Sequence, residues 1–303
     1  MNKTHLIACS EDSVYVWQYR SQVSRLLSND PGKKKIGREV AFFVDDQPNL
    51  NKMYDVNTFS IGGRRLNDQI SCVTSGDTYF LVGRVSGTVQ KYALPTVNKE
   101  TSYRLNCRPQ MINANCNATK FAIIDINGTL TYFDCEARER NGPPGMTLDF
   151  EKTDVWDVKW STDNPELCAI MEKTRMHIMQ NMQIEEPILS SGYLCTFNDL
   201  EIKAVLMDEV MKTPESPPKL DEMIINFETR SLSETREMLK TISLQDVFEK
   251  IEENPHPRLW RLLSEAALEN LDLEIAHKAF IKFDDYQGIC LIKKLNQLED
   301  RQK

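Results

Sequence analysis

Between residues 69 and 180, short apolar runs alternate with polar turns, and the alternation returns at a nearly constant interval. Set "QISCVTSGDTYFLVGRVSGTVQKYALP" (69–95) beside "QMINANCNATKFAIIDINGTLTYFDCE" (110–136), and Phe80 falls on Phe121, Gly87 on Gly128 and Val89 on Leu130, each pair 41 residues apart. A third copy, "DVWDVKWSTDNPELCAIMEKTRMHIMQ" (154–180), follows at a slightly longer interval, with Leu167 and Met176 in the corresponding places. Each copy predicts a short strand, a polar turn, an apolar strand, a Gly or Asn turn, and a third strand ending in a bulky residue. In "DINGTLTYF" the Asn127-Gly128 pair is expected to supply the two positive-φ residues of a tight hairpin, and Gly87 stands at the equivalent point. A spacing of about 40–45 residues is that of a β-propeller blade. A β-sandwich with regular spacing is the alternative architecture.

The same pattern extends outward. "EDSVYVWQY" (11–19) reads as the tail of an earlier blade and "GYLCTFNDLEIKAVLMDEV" (192–210) as the opening of a later one, which makes about four blades' worth of strands. Residues 21–66 do not fit the repeat and are read as a long, partly mobile insertion; it holds Lys33 to Lys35, taken as a solvated loop, and the glycines of "SIGGRR". The match to a WD-repeat is loose: Trp17 is followed by Gln18, and the literal Trp156-Asp157 lies in a first strand.

"KTPESPPK" (212–219) carries three prolines and marks a loop, after which "EMIINFETRSL" (222–232) predicts one more strand. From there the period becomes helical. Ser231 with Glu234 predicts a capping box and Ser243 with Asp246 a weaker one. In "NPHPRLWRLLSEAALENLDLEIAHKAF" (254–280), Pro257 suits a first helical turn and Asp272 can cap the following helix. Leu259, Leu262, Leu263, Ala266 and Ala267 recur at helical spacing, Trp260, Leu263, Ala267 and Leu271 extend that apolar face, and Leu273, Ala276, Phe280 and Phe283 form a second stripe. Trp260 and Leu263, then Ala276 and Phe280, reproduce part of the tetratricopeptide spacing, with Ser264 and Ala267 where that pattern has Gly and Tyr. A third helix is expected around 285–298. The predicted organisation is therefore β then α: a partial WD-repeat-like β-propeller over 1–230, and the start of an α-solenoid of tetratricopeptide-like hairpins over 231–303.

Composition narrows the function. With 37 Lys+Arg against 45 Asp+Glu in 303 residues, the net charge of −8 argues against nucleic acid as a partner. The eight cysteines stand singly, without zinc-site or disulfide spacing, as in a reducing cytosol. No transmembrane segment or signal peptide is expected, so the sequons at Asn2, Asn117 and Asn127 are read as unused. His5, His177, His256 and His277 have no ligand-spaced partners, "DEVMK" and "EKIEEN" read as solvated charges, and no phosphate loop or nucleophile elbow occurs. No catalytic, cofactor-binding or metal-binding residues and no cofactors are assigned. The reading is a non-enzymatic scaffold; an enzyme with a site on the propeller face is the minority alternative.

"RLWRLLSEAALENLDLEIAHKAF", "DVWDVKWSTDNPELCAIMEKTRM", "SGYLCTFNDLEIKAVLMDE" and "VGRVSGTVQKYALP" closely resemble the WD repeat-containing protein 35 family, a subunit of intraflagellar transport complex A. The resemblance implies two propellers followed by a long solenoid, and a role in retrograde ciliary transport, cilium assembly and ciliary entry of membrane proteins. It implies as partners the other complex A subunits and ciliary membrane-protein cargo, and as location the cilium, the ciliary base or basal body, and the cytoplasm. The layout is more distantly similar to coatomer subunits, which makes a vesicle-coat scaffold the runner-up. Only the end of the second propeller and the first helices are represented, so the chain is expected to be a fragment, partial gene model or short isoform. Open strand edges would then leave it poorly soluble or partly folded alone; a monomeric, protease-resistant preparation with one cooperative melt would defeat that expectation.

Overall fold

The structure, a computed structural model, describes residues 2–19, 39–45, 68–138, 143–212 and 223–302. Most of the predicted insertion 21–66, with Lys33 to Lys35 and "SIGGRR", and the prolines after Lys212 lie outside the described residues.

Two compact units result, one ending at Ser191 and the other beginning at Gly192. Among the described residues the first holds four antiparallel sheets. β1 (His5–Cys9), β2 (Ser13–Gln18) and β3 (Glu39–Phe43) form the first; β4 (Ile70–Ser75), β5 (Tyr79–Arg84), β6 (Thr88–Ala93) and β7 (Lys99–Arg104) the second. The third runs through β8 (Pro109–Ala114), β9 (Lys120–Asp125), β10 (Leu130–Arg138) and β11 (Pro144–Lys152). The fourth has β12 (Val155–Trp160), β13 (Leu167–Glu172) and β14 (Arg175–Gln180), with short β15 (Gln183–Ile184) and β16 (Ile188–Leu189) on its outer side. The meander order and the successive neighbouring of β1, β4, β8 and β12 are those of consecutive propeller blades.

The second strands β5, β9 and β13 carry unbroken apolar runs, at 79–83, 121–124 and 167–171, because both faces are covered there. In β5, Phe80 and Val82 enter a core shared with Val14, Val16 and Phe42 of the first sheet. Its alternate residues Tyr79 and Leu81 enter another, shared with Ile112, Phe121 and Ile123 of the third. β9 repeats the device, with Ala122 and Ile124 packed alongside Val158, Trp160, Cys168 and Ile170 of the fourth sheet. A residue period of two thus sends neighbouring side chains into two different cores.

Several expectations are corrected. "EDSVYVWQY" is not the tail of a blade: β2 is the middle strand of its sheet, paired on one side with β1 and on the other with β3, which lies inside the segment read as non-repeating. Among the described residues there are five sheets in all, where the repeats suggested about four blades. Of the Asn127-Gly128 pair only Gly128 takes a positive φ, +77°. The turn is closed by Gly128 N–H donating to Asp125 O at 3.1 Å, while the Asp125 carboxylate accepts from Asn127 and Thr129 N–H. This is the longer hairpin loop with one left-handed glycine, and Gly87, φ +84°, closes the matching loop onto Arg84 O.

In the second unit, β17 (Tyr193–Asn198), β18 (Glu201–Val205) and β19 (Ile224–Glu228) form the fifth sheet, with the short α1 (Met207–Lys212) between the last two. Five helices follow: α2 (Arg230–Thr241), α3 (Leu244–Glu253), α4 (Pro257–Glu269), α5 (Leu273–Lys282) and α6 (Tyr286–Gln302). Ser243, His256 and Asp272 cap α3, α4 and α5 by accepting from Asp246, Arg258 and Ile275 N–H. The predicted Ser231–Glu234 box does not form. Thr229 is the residue before α2, Ser231 lies inside the helix, and Glu234 instead pairs with Arg230 at 2.6 Å.

Candidate interaction surfaces

The helices pack as layers because small residues line their contacts. Ala267 on α4 and Ala276 and Ala279 on α5 are fully buried, which lets the two backbones approach. Trp260 on α4 meets Phe248 on α3 with ring centroids 5.0 Å apart, and Lys282 from α5 lies 5.6 Å over the Trp260 ring while pairing with Glu252 at 2.6 Å. Phe280 closes the next layer. Gly288 on α6 has no side chain, and a Cβ there would lie 2.2 Å from Phe280 Cδ1, so the ring sits against the helix backbone itself. Leu271, expected on the buried stripe, is 81% exposed with φ +58°; it serves as the left-handed turn between α4 and α5.

Within this unit the sheet is tied to the helices by charge. Arg258 at the start of α4 meets Glu201 of β18 at 3.0 Å, and Arg236 of α2 meets Glu228 of β19 at 3.0 Å. The carboxylates of "EKIEEN" are spent similarly: Glu252 on Lys282, Glu253 on Lys250, and Glu249 accepting from Gln245.

The four histidines are not brought together. His5 accepts or donates at Thr4 Oγ1, 2.8 Å away, and burial lowers its pKa. His256 accepts from Arg258 N–H at 3.1 Å as a helix cap, and His277 is half-buried on α5. His177 lies 3.3 Å from Glu172, whose other neighbour is Lys152 at 2.7 Å. Burial by itself would raise the Glu172 carboxyl, but hydrogen bonding to Lys152 and His177 holds it below its usual range. Among the described residues no group of three or more His, Cys, Asp or Glu gathers as a metal site would require. Burial pushes the thiols of Cys72 up to about 11 and of Cys135 and Cys168 up to about 12, so they are protonated and inert at neutral pH.

No helix among the described residues is long and apolar enough to cross a membrane. Exposed apolar side chains in the helical part include Leu271, Ile281 and Tyr286, while the turns at Ser10–Ser13 and Asn115–Thr119 are closed by their own side-chain hydrogen bonds. Sequence reasoning missed β7 and β11, the outer strands of two blades. β7, "KETSYR", shows only Tyr103 fully buried, too weak an alternation to stand out.

Comparison with known proteins fits this geometry. A family profile described as the WDR35 second beta-propeller matches residues 1–228. WD repeat-containing protein 35 of Homo sapiens is 47% identical over 305 residues, covering 98% of this chain and 26% of that protein. The Rattus norvegicus protein of the same name is 46% identical over 308 residues, 99% and 26%. The human Intraflagellar transport protein 122 homolog is 22% identical over 229 residues, 73% of this chain and 16% of that one. Among solved structures, the Myceliophteria thermophila Cps50 (Swd1) beta-propeller domain aligns at TM-score 0.42 and 11% identity, over 67% of this chain and 64% of that one, too loosely to add to the sheet topology. The chain spans about a quarter of the length of the curated relatives it matches.

Proposed function

The chain belongs to the WDR35 second beta-propeller family, and from that premise we propose that it is a non-enzymatic scaffold module of an assembly resembling intraflagellar transport complex A. The observation that carries this is that one chain holds both blade-like sheets and helices layered through Ala267, Ala276 and Ala279, with Ser243, His256 and Asp272 engaged as helix caps. We place the propeller portion in residues 1–230 and the helical portion in 231–303; the profile match ending at residue 228 and β19 ending at Glu228 support that division. The finer reading, which rests on the family resemblance of the sequence and goes beyond the words "intraflagellar transport" in one relative's name, is a part in retrograde ciliary transport and in the ciliary entry of membrane proteins, at the cilium and its base.

The test is co-precipitation of the tagged chain from ciliated cells, followed by mass spectrometry. Recovery of a relative of the Intraflagellar transport protein 122 homolog together with further complex A subunits is the expected result. Recovery of vesicle-coat subunits instead would move the assignment to a coat scaffold, and recovery of chaperones alone would remove it.

A further inference from the structure

Lys250 pairs with Glu253 and Lys278 with Glu274 inside their own helices, and exposed pairs of that kind add little to stability. Lys282, the last residue of α5, reaches across instead. Its Nζ lies 2.6 Å from Glu252 Oε1 on α3, 5.8 Å from the centre of the Phe248 ring on the same helix, and 5.6 Å from that of Trp260 on α4. Phe248 and Glu252 stand four residues apart and so share one face of α3. Both rings are buried, with their centres 5.0 Å apart. One ammonium therefore has a carboxylate and two aromatic faces as partners, all supplied by helices other than its own, and its positive charge is what joins α3, α4 and α5 there. The side chain is nonetheless 42% exposed, which leaves Nζ within reach of a reagent.

We propose that Lys282 is a modification switch: acetylation of its ε-amine frees the end of α5 from α3 and α4 and loosens the first helical layers, whereas a change that keeps the charge leaves them closed. In the reaction the neutral amine attacks the carbonyl carbon of an acetyl thioester such as acetyl-coenzyme A. The C–N bond forms, the C–S bond breaks, and the thiol leaves with the proton that the amine gives up. The amide that results carries no charge, so the ion pair and both ring contacts are lost together, and Glu252 is left beside two buried rings without its counter-charge. At Lys278 the same reaction removes one exposed pair within a single helix. The site is made wholly by residues of α3 to α5, and the inference holds whichever assembly the module serves.

The test is made on the whole chain carrying Nε-acetyl-lysine at 282 or, separately, at 278, each compared with the parent by hydrogen exchange of α3 to α5. Acetylation at 282 is expected to speed exchange there about tenfold, against less than about twofold for 278. Lys282→Arg, which keeps the charge and can stack on the rings, should stay near the parent, and Lys282→Gln should follow the acetylated chain. In a Glu252→Gln background the effect of acetylation at 282 should shrink, because one partner is already neutral. Equal effects at 278 and 282, or a Lys282→Arg chain that exchanges like the acetylated one, overturns the proposal. Should the chain acetylated at 282 fail to fold, the folded parent is treated with acetyl-coenzyme A and mapped by mass spectrometry. Lys282 is then expected to take up the acetyl group, with faster exchange of α3 to α5 in the acetylated fraction. Acetylation of Lys278 alone, or of Lys282 with no change in exchange, overturns it.

Discussion

At the scale of single residues, burial sets the chemistry of the cysteines and of His5. Desolvation raises the thiols of half-buried Cys72 and Cys135 and of buried Cys168 most, and those of exposed Cys9 and Cys116 as well. Iodoacetamide at pH 7.5 is expected to label exposed Cys9, Cys116 and Cys195 first and buried Cys168 last in the native chain, and all alike in denaturant, as peptide mapping would show; early labelling of Cys168 would place it outside the core. His5 is held neutral by burial, so its folded pKa lies below its unfolded value of about 6.5. The unfolded chain then binds the extra proton as pH falls below about 6.5, and stability drops with it. Melting temperature should therefore fall between pH 7.5 and 5.5, and His5→Gln should lessen the fall. None of this was legible in the spacing of the cysteines or histidines, because desolvation depends on which sheets close over a residue.

At the scale of elements, the helix signals were read with mixed success. Ser243, Asp272 and Pro257 act as their positions predicted, since a cap depends on the few residues that follow it. Ser231 failed for a tertiary reason: β19 runs to Glu228 and the helix begins at Arg230, two residues too early for Ser231 to cap it. Gly288 was invisible as a packing residue in "DYQGI". Replacing it with Ala would ordinarily stabilise a helix by about 1 kcal/mol. Here the Cβ would meet Phe280, and overpacking costs about 1–3 kcal/mol, so a net loss is expected. Gly288→Ala measured in a Phe280→Leu background should recover most of that loss; two additive effects in the denaturation cycle would show that the contact is absent.

At the scale of the whole molecule, the blades pack through Phe80, Phe121 and Cys168 and the helices through Trp260, Leu263 and Phe280. Trp260→Ala, removing a side chain 3% exposed, is expected to cost the helical unit about 3–5 kcal/mol. Native-state exchange should show that loss in α3 to α5 while Cys168 stays unlabelled; a loss below about 1 kcal/mol in the helices would place Trp260 outside their core. What the sequence determined by itself was carried by period and local chemistry: the forty-residue recurrence, the apolar runs of β5, β9 and β13, the left-handed glycines at 87 and 128, and the caps at Ser243 and Asp272. A residue's propensity and its nearest chain neighbours suffice for those. The outer strands β7 and β11, the central place of β2, the strand hidden at 39–43 and the seat of Phe280 on Gly288 were decided by tertiary structure alone. β7 and β11 pair with the strands just before them but are covered along only part of their length, β3 reaches β2 across some twenty residues outside the repeat, and Gly288 presents only backbone to Phe280, so no apolar period announced these contacts.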